Sequence, residues 1–161
     1  MKNTGTLQVT SQGDNEIVLT RVFDAPKRLV YDAFTKPELL KRWFGPHGHH
    51  LVVCDVDLTV GGKWRYVIRD PEGKDMGMYG TWIELDPPDR IVHTEAFDMY
   101  PGDSLCTTVF TERGGKTTMT LTCRYPSKEV RDMVIASGMS RGAGISYDRL
   151  EDLVAKLQHR A

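Results

Sequence analysis

The chain has 161 residues and a net charge of −1, with 21 basic and 22 acidic side chains. So even a balance gives no electrostatic footprint for nucleic acid or an anionic membrane, and no apolar run is long enough to span a bilayer. The length suits one domain with a sizeable core, and with no apolar stretch behind Lys2 the reading has no signal peptide and is cytoplasmic.

Residues 1–14 are polar, carry Gly5 and Gly13, and are expected to form a mobile arm ahead of a single domain over 15–161. Glu16 to Phe23 (EIVLTRVF) is β-branched and apolar and reads as the first strand. In the segment DAPKRLVYDAFTKPELLKRWFGP, Pro26 suits the first turn of a helix and Asp24 is placed to cap it. Thr35, with Glu38 three residues on, reads as the capping box of a second short helix. Leu39, Leu40, Trp43 and Phe44 form its apolar face, and Gly45-Pro46 ends it.

Strands follow, separated by turn signals at Gly61-Gly62, Asp70–Gly73, Asp86–Asp89, residues 98–104 and Gly114-Gly115. Regular spacing without intervening helices predicts one antiparallel meander. Centring the hairpins on these turns puts Phe110 opposite Met119, Thr108 opposite Leu121, Cys106 opposite Cys123, Trp82 opposite His93 and Gly80 opposite Glu95. It also puts Tyr66 near Gly80 and Trp64 near Trp82. Strand side chains alternate. One face therefore collects Val52, Cys54, Val56, Leu58, Trp64, Tyr66, Ile68, Met78, Trp82, Ile91, His93, Glu95, Phe97, Phe110, Met119 and Leu121. The other carries Lys63, Arg65, Arg69 and a series of threonines, interrupted by Ile83, Leu85 and Val109.

Ser127 caps a short helix over 127–137 that breaks at Gly138. In the last segment, Met139, Ala143, Tyr147, Leu150, Val154 and Leu157 recur at steps of three and four, the stripe of an amphipathic helix. Asp148, Arg149, Glu151, Asp152 and Lys156 fill much of the opposite side. Gly142 and Gly144 early in this helix signal close approach to the sheet, a gap left for a ligand, or a frayed first turn. The expected architecture is α+β, a long curved sheet wrapped around this helix.

The inward face supplies the candidate site. Trp43, Trp64, Tyr66, Met78, Trp82, Phe97, Phe110, Met119, Tyr147 and Leu150 are candidates for lining an apolar cavity, with His93 and Glu95 as its polar groups. A glutamate beside a histidine on an inward face is also a candidate acid/base pair, because burial raises a carboxyl pKa. The competing reading is a filled core. The three cysteines, Cys54, Cys106 and Cys123, have no CxxC spacing and read as buried free thiols. His47-Gly48-His49-His50 binds metal only opportunistically, since adjacent residues seldom make a structured site. No metal or cofactor is expected.

The sequence resembles the START-like, or helix-grip (SRPBCC), superfamily, in the bacterial branch related to the activator of the Hsp90 ATPase. The resemblance rests on TRVFDAPKRLVYDAFTKPELLKRWFGP at 20–46, DVDLTVGGKWRY at 55–66, GTWIELDPPDRIVHTE at 80–95 and YPSKEVRDMVIASGMSRGAGISYDRLEDLVAKL at 125–157. It implies a six- or seven-stranded sheet gripping the C-terminal helix over a cavity. Members bind lipids, sterols and other small hydrophobic molecules, and some are cyclases or hydrolases of polyketide-like substrates. The branch takes its name from co-chaperones with an additional N-terminal domain that has no counterpart in these residues. The departure from the family pattern is the His47–His50 run. The leading expectation is a binder of a small hydrophobic molecule. The alternatives are a cyclase- or hydrolase-type enzyme using His93 and Glu95, and a chaperone-associated interaction module. The last would show an outer apolar patch at Ile83, Leu85, Val92 and Val109, which would serve equally as a homodimer interface.

Overall fold

The computed structural model describes residues 7–99 and 102–159. Its elements are β1 (Gln8–Gln12), β2 (Glu16–Phe23), α1 (Lys27–Thr35), α2 (Pro37–Trp43), β3 (His50–Val56), β4 (Lys63–Arg69), β5 (Asp75–Asp86), β6 (Arg90–Phe97), β7 (Asp103–Arg113), β8 (Lys116–Arg124), α3 (Lys128–Ala136) and α4 (Met139–His159). The strands form one antiparallel sheet in the order β1-β2-β8-β7-β6-β5-β4-β3. The expected meander is β3 to β8, and β2 joins it at β8 by a long connection through the first two helices.

Among the described residues the sheet has eight strands where six or seven were expected. The extra one is β1, which pairs with β2 from Gln8↔Thr20 to Gln12↔Glu16, so residues 8–12 belong to the sheet and not to a mobile arm. A polar edge strand is held by its backbone ladder rather than by apolar side chains, and polarity alone therefore hid it. The remaining residues of that expected arm, 1–6, lie outside the described residues.

The turn residues set the registers. Phe110↔Met119, Thr108↔Leu121, Cys106↔Cys123 and Trp82↔His93 pair as expected. In the β4–β5 hairpin, Trp64 pairs with Gly80 and Tyr66 with Met78, two residues from the expected partners. Asp70 carries the turn: its amide donates to Lys74 O at 2.9 Å and its carboxylate accepts from the Glu72 and Lys74 amides, which centres the turn on Glu72. A slip of two leaves every side chain on its expected face, whereas a slip of one would invert the strand. In β3 an irregularity between Leu51 and Val53 does shift the alternation. Leu51 and Cys54 are buried, and Val52 and Leu58, expected inward, are exposed.

Two expected caps are absent. Pro26 occupies the N-cap of α1 without a side-chain bond, and the Asp24 amide instead donates to Glu151 on α4. Lys36, not Thr35, is the N-cap of α2, because Pro37 stands at its first turn. Thr35 is buried at the end of α1 and donates back to Tyr31 O at 3.1 Å. Ser127 does cap α3, accepting from the Val130 amide at 3.2 Å. Gly138, at φ +84°, separates α3 from α4 in a conformation that L side chains rarely adopt.

The α4 stripe faces the sheet as its periodicity demands: Tyr147, Leu150 and Val154 are buried, and Met139, Ala143 and Leu157 pack against the core. Asp148 departs from the polar side assigned to it. It is buried and accepts from Arg21 Nη1 at 2.8 Å across the β2–α4 contact. The outer apolar patch does not form as expected, because Val92 is buried and Leu85 and Val109 are half-buried, leaving Ile83 alone of the four exposed.

Candidate functional site

A cavity of about 340 Å³ lies between the inward face of β4–β6, the end of α2 and the first half of α4. Its walls include Trp43, Trp64, Tyr66, Met78, Trp82, His93, Glu95, Phe97 and Tyr147, nine of the twelve expected residues. Phe110, Met119 and Leu150 were also expected there, but they are fully buried in solid core. Helix α1 explains the difference: Tyr31 and Phe34 pack on Phe110 with ring centroids 5.8 Å and 5.5 Å apart, filling that part of the concave face. Alternation places a side chain on a face, but it does not say which helix covers it.

Phe34, Phe44, Pro46, Met76, Tyr125 and Ser146 also line the cavity. The first three come from the helix and rim segment 24–46, whose apolar positions were legible but whose docking site was not. The rim is pinned to α4. Ser146 Oγ accepts from the Gly45 amide at 2.9 Å and donates to Trp43 O at 3.3 Å, and Arg149 Nη1 donates to Gly45 O at 2.7 Å. Burial lowers the Arg149 pKa from its ordinary value. Gly142 sits against Pro46, where an added Cβ would find ordinary contact at 3.7 Å. The His47–His50 run stands outside the lining; His47 is exposed on the loop beyond Pro46 and His50 is exposed at the start of β3.

The polar floor is on β6. His93 Nε2 lies 3.6 Å from Glu95 Oε2. The His93 ring meets Trp64 and Trp82 edge-on at 5.6 Å and 5.7 Å. Burial pulls the His93 pKa down, but hydrogen-bonding contact with Cys106 and Glu95 outweighs it and raises it to about 9. The imidazole therefore keeps its proton at neutral pH, with Glu95 beside it as acceptor. The pair can hold or pass a proton at the cavity wall. The hydrogen bond to Cys123, together with burial, pushes the Cys106 thiol well above its ordinary value. Burial likewise raises the phenols of Tyr66 and Tyr147. The indole nitrogens of Trp64 and Trp82 and Nδ1 of His93 are buried without a hydrogen-bond partner.

Gly80 keeps this wall together. A Cβ there would stand 1.8 Å from Thr94 O and 2.7 Å from Trp64 Nε1. Backbone cannot yield cheaply, so Gly80→Ala is expected to lose about 1–3 kcal/mol in urea unfolding. A loss under about 0.5 kcal/mol, the range of an ordinary surface change, would show that β5 and β6 separate freely at this point.

An antiparallel sheet gripping a C-terminal helix over an apolar cavity defines a helix-grip, START-like protein. The family model described as activator of Hsp90 ATPase homolog 1-like protein matches residues 24–155, and the chain belongs to that family. It is similar to the crystal structure of a protein from Rhodobacter sphaeroides, with a TM-score of 0.89 and 29% identity over 94% of this chain and 99% of that one. A solution structure from Staphylococcus epidermidis gives 0.80 and 29% over 91% and 93%. An HSP90 activator from Plasmodium falciparum gives 0.60 and 22% over 80% and 89%, a likeness of fold alone. Comparison with curated proteins finds no match.

Proposed function

We propose that the protein binds a small, largely hydrophobic molecule between the sheet and α4. The observation that carries this reading is the cavity of about 340 Å³, walled by aromatic and aliphatic side chains that do not fill it. Ligand pockets of about 300–1,000 Å³ with few polar groups are the usual size and character of such sites. The unpartnered Trp64 and Trp82 N–H groups add a preference. A buried donor without an acceptor is costly, so a ligand that brings a carbonyl, carboxylate or sulfonate oxygen satisfies what the protein leaves open.

All three tryptophans of the chain line the cavity, so intrinsic fluorescence reports its occupancy. Titration with anilinonaphthalene sulfonate is expected to quench that fluorescence saturably at one equivalent. Ala143→Phe, which adds a ring to the α4 wall, is expected to weaken binding at least about tenfold, or 1.4 kcal/mol. Quenching that does not saturate, or is indifferent to Ala143→Phe, would sink the reading. Native mass spectrometry of the purified protein, before and after denaturation, identifies any natural ligand it retains.

A further inference from the structure

We infer that His93, Glu95 and Cys106 form a binding site for a zinc-type divalent cation at the floor of the cavity. β6, β7 and β8 are adjacent, and His93, Cys106 and Cys123 stand in one cross-strand row through the pairs His93↔Cys106 and Cys106↔Cys123. Glu95, two residues along β6, is on the same face. Three donors of different chemistry are thus held by the interior of a sheet rather than by a loop.

Distance comes next. One donor atom from each of His93, Glu95 and Cys106 lies within 4.8 Å of the other two, and His93 Nε2 and Glu95 Oε2 are already 3.6 Å apart. Tetrahedral zinc with bonds of about 2.0–2.3 Å needs donors roughly 3.3–3.8 Å apart. Side-chain torsions can close that difference without moving a strand. His93 Nδ1 is buried and has no hydrogen-bond partner, so no protein contact holds that nitrogen away from a ligating role.

The chemistry fits a borderline-soft ion. Imidazole, carboxylate and thiolate together favour zinc over calcium or magnesium, which take oxygen ligands. A neutral imidazole, one carboxylate and one thiolate cancel a charge of +2, which suits a buried position. On binding, the Cys106 thiol and the His93 imidazolium each release a proton to solvent as their bonds to the metal form, and no electron is transferred. Ser104 Oγ, 3.6 Å from Cys106 Sγ, can supply a hydrogen bond to the sulfur. Cys123, with its Sγ 3.3 Å from that of Cys106, also faces the cluster. Tyr125, beyond β8, and Tyr147, on α4, face it too, and burial keeps both phenols protonated. His93 and Glu95 line the cavity, so the fourth coordination position opens toward the bound molecule.

The test is a cobalt(II) titration of the full chain under reducing conditions, in wild type and in a His47→Ala, His50→Ala variant that removes exposed surface imidazoles. The expected result is a thiolate-to-cobalt charge-transfer band that saturates at one equivalent in both proteins and is displaced by zinc. Cys106→Ser is expected to abolish the band, and His93→Gln to weaken binding more than about a hundredfold, each with an unchanged circular dichroism spectrum. The absence of a thiolate band in wild type overturns the site without recourse to any variant. So does a band that survives Cys106→Ser, or cobalt binding that disappears with His47 and His50. If Cys106→Ser does not fold, His93→Gln alone decides, with unchanged affinity as the overturning result. Hydrophobic binding to the cavity is read by tryptophan quenching and stands or falls separately.

Discussion

Replacing Asp148 with alanine is expected to destabilise the fold by about 3–5 kcal/mol, a large part of the roughly 5–15 kcal/mol that holds an ordinary domain together. Arg21 and Asp148 are 1% and 3% exposed and bonded at 2.8 Å. Removing the carboxylate leaves a guanidinium out of water with the Glu151 carboxylate 3.8 Å away. That guanidinium is already under-satisfied, since Arg21 Nε and Nη2 have no hydrogen-bond partner. Its charge centre also stands over the Phe23 ring, 5.4 Å from the centroid. The cost is therefore a property of the orphaned charge more than of the lost bond. The double replacement Arg21→Met, Asp148→Leu is accordingly expected to recover most of the stability, as buried pairs exchanged for apolar groups often do. Urea unfolding measures both, with the midpoint falling and the slope unchanged in the single variant. A loss below about 1 kcal/mol for Asp148→Ala would mean that the pair behaves like an exposed one.

Trp43→Ala is expected to cost about 3–5 kcal/mol, the range for removing a buried indole. Trp43 is 1% exposed, and its rings stand 5.1 Å from Phe34, 5.5 Å from Phe44 and 6.1 Å from Tyr147. Its Nε1 donates to Ala33 O at 2.9 Å and so ties α2 to α1. Loss of that donor leaves a buried carbonyl unsatisfied, which by itself costs about 1–3 kcal/mol. Trp43→Phe keeps much of the packing but not the donor, so its loss against wild type reads mainly the hydrogen bond, and the difference between the two variants reads the packing. The residue is also a cavity wall, and its removal enlarges the space for ligand. Trp43→Ala should therefore keep its affinity for anilinonaphthalene sulfonate where Ala143→Phe loses affinity. A Trp43→Ala protein as stable as wild type would show that α2 is not docked through this side chain.

Local signals carried most of the architecture. Glycine, proline and aspartate at the turns fixed four hairpin pairings to the residue, because a turn allows few ways of returning the chain. The step of three and four in the last segment chose the buried stripe of α4, and period-two alternation chose the concave face of β4 to β8. Even the misplaced β4–β5 register kept Trp64, Tyr66 and Met78 facing inward, since the error was an even number of residues. Where local cues failed, a second element was responsible. Thr35 and Glu38 have the spacing of a capping box, but Pro37 moved the helix start by one residue. Leu51 and Val52 look alike in sequence, and an irregularity in the pairing with β4 decided which is buried.

The candidate site was half legible. Seven wall residues followed from strand parity, and Trp43 and Tyr147 from the apolar faces of their helices. Phe110 and Met119 have the same parity, and Leu150 lies on the same helix stripe as Tyr147, yet all three sit in solid core, with α1 packed on Phe110. Asp148 and Asp152 are both acidic residues of α4, and only the presence of Arg21, 127 positions away, separates a buried ion from the polar side. The sequence by itself determined the order of the elements, the faces of the sheet and the stripe of the helix, all of which depend on residues close along the chain. Only the tertiary fold settled where the concave face is filled and where it is hollow, which charge is buried, and that Cys106 comes within ligand distance of His93 and Glu95. Those are matters of distance between residues far apart in the chain, and periodicity carries no distance of that kind.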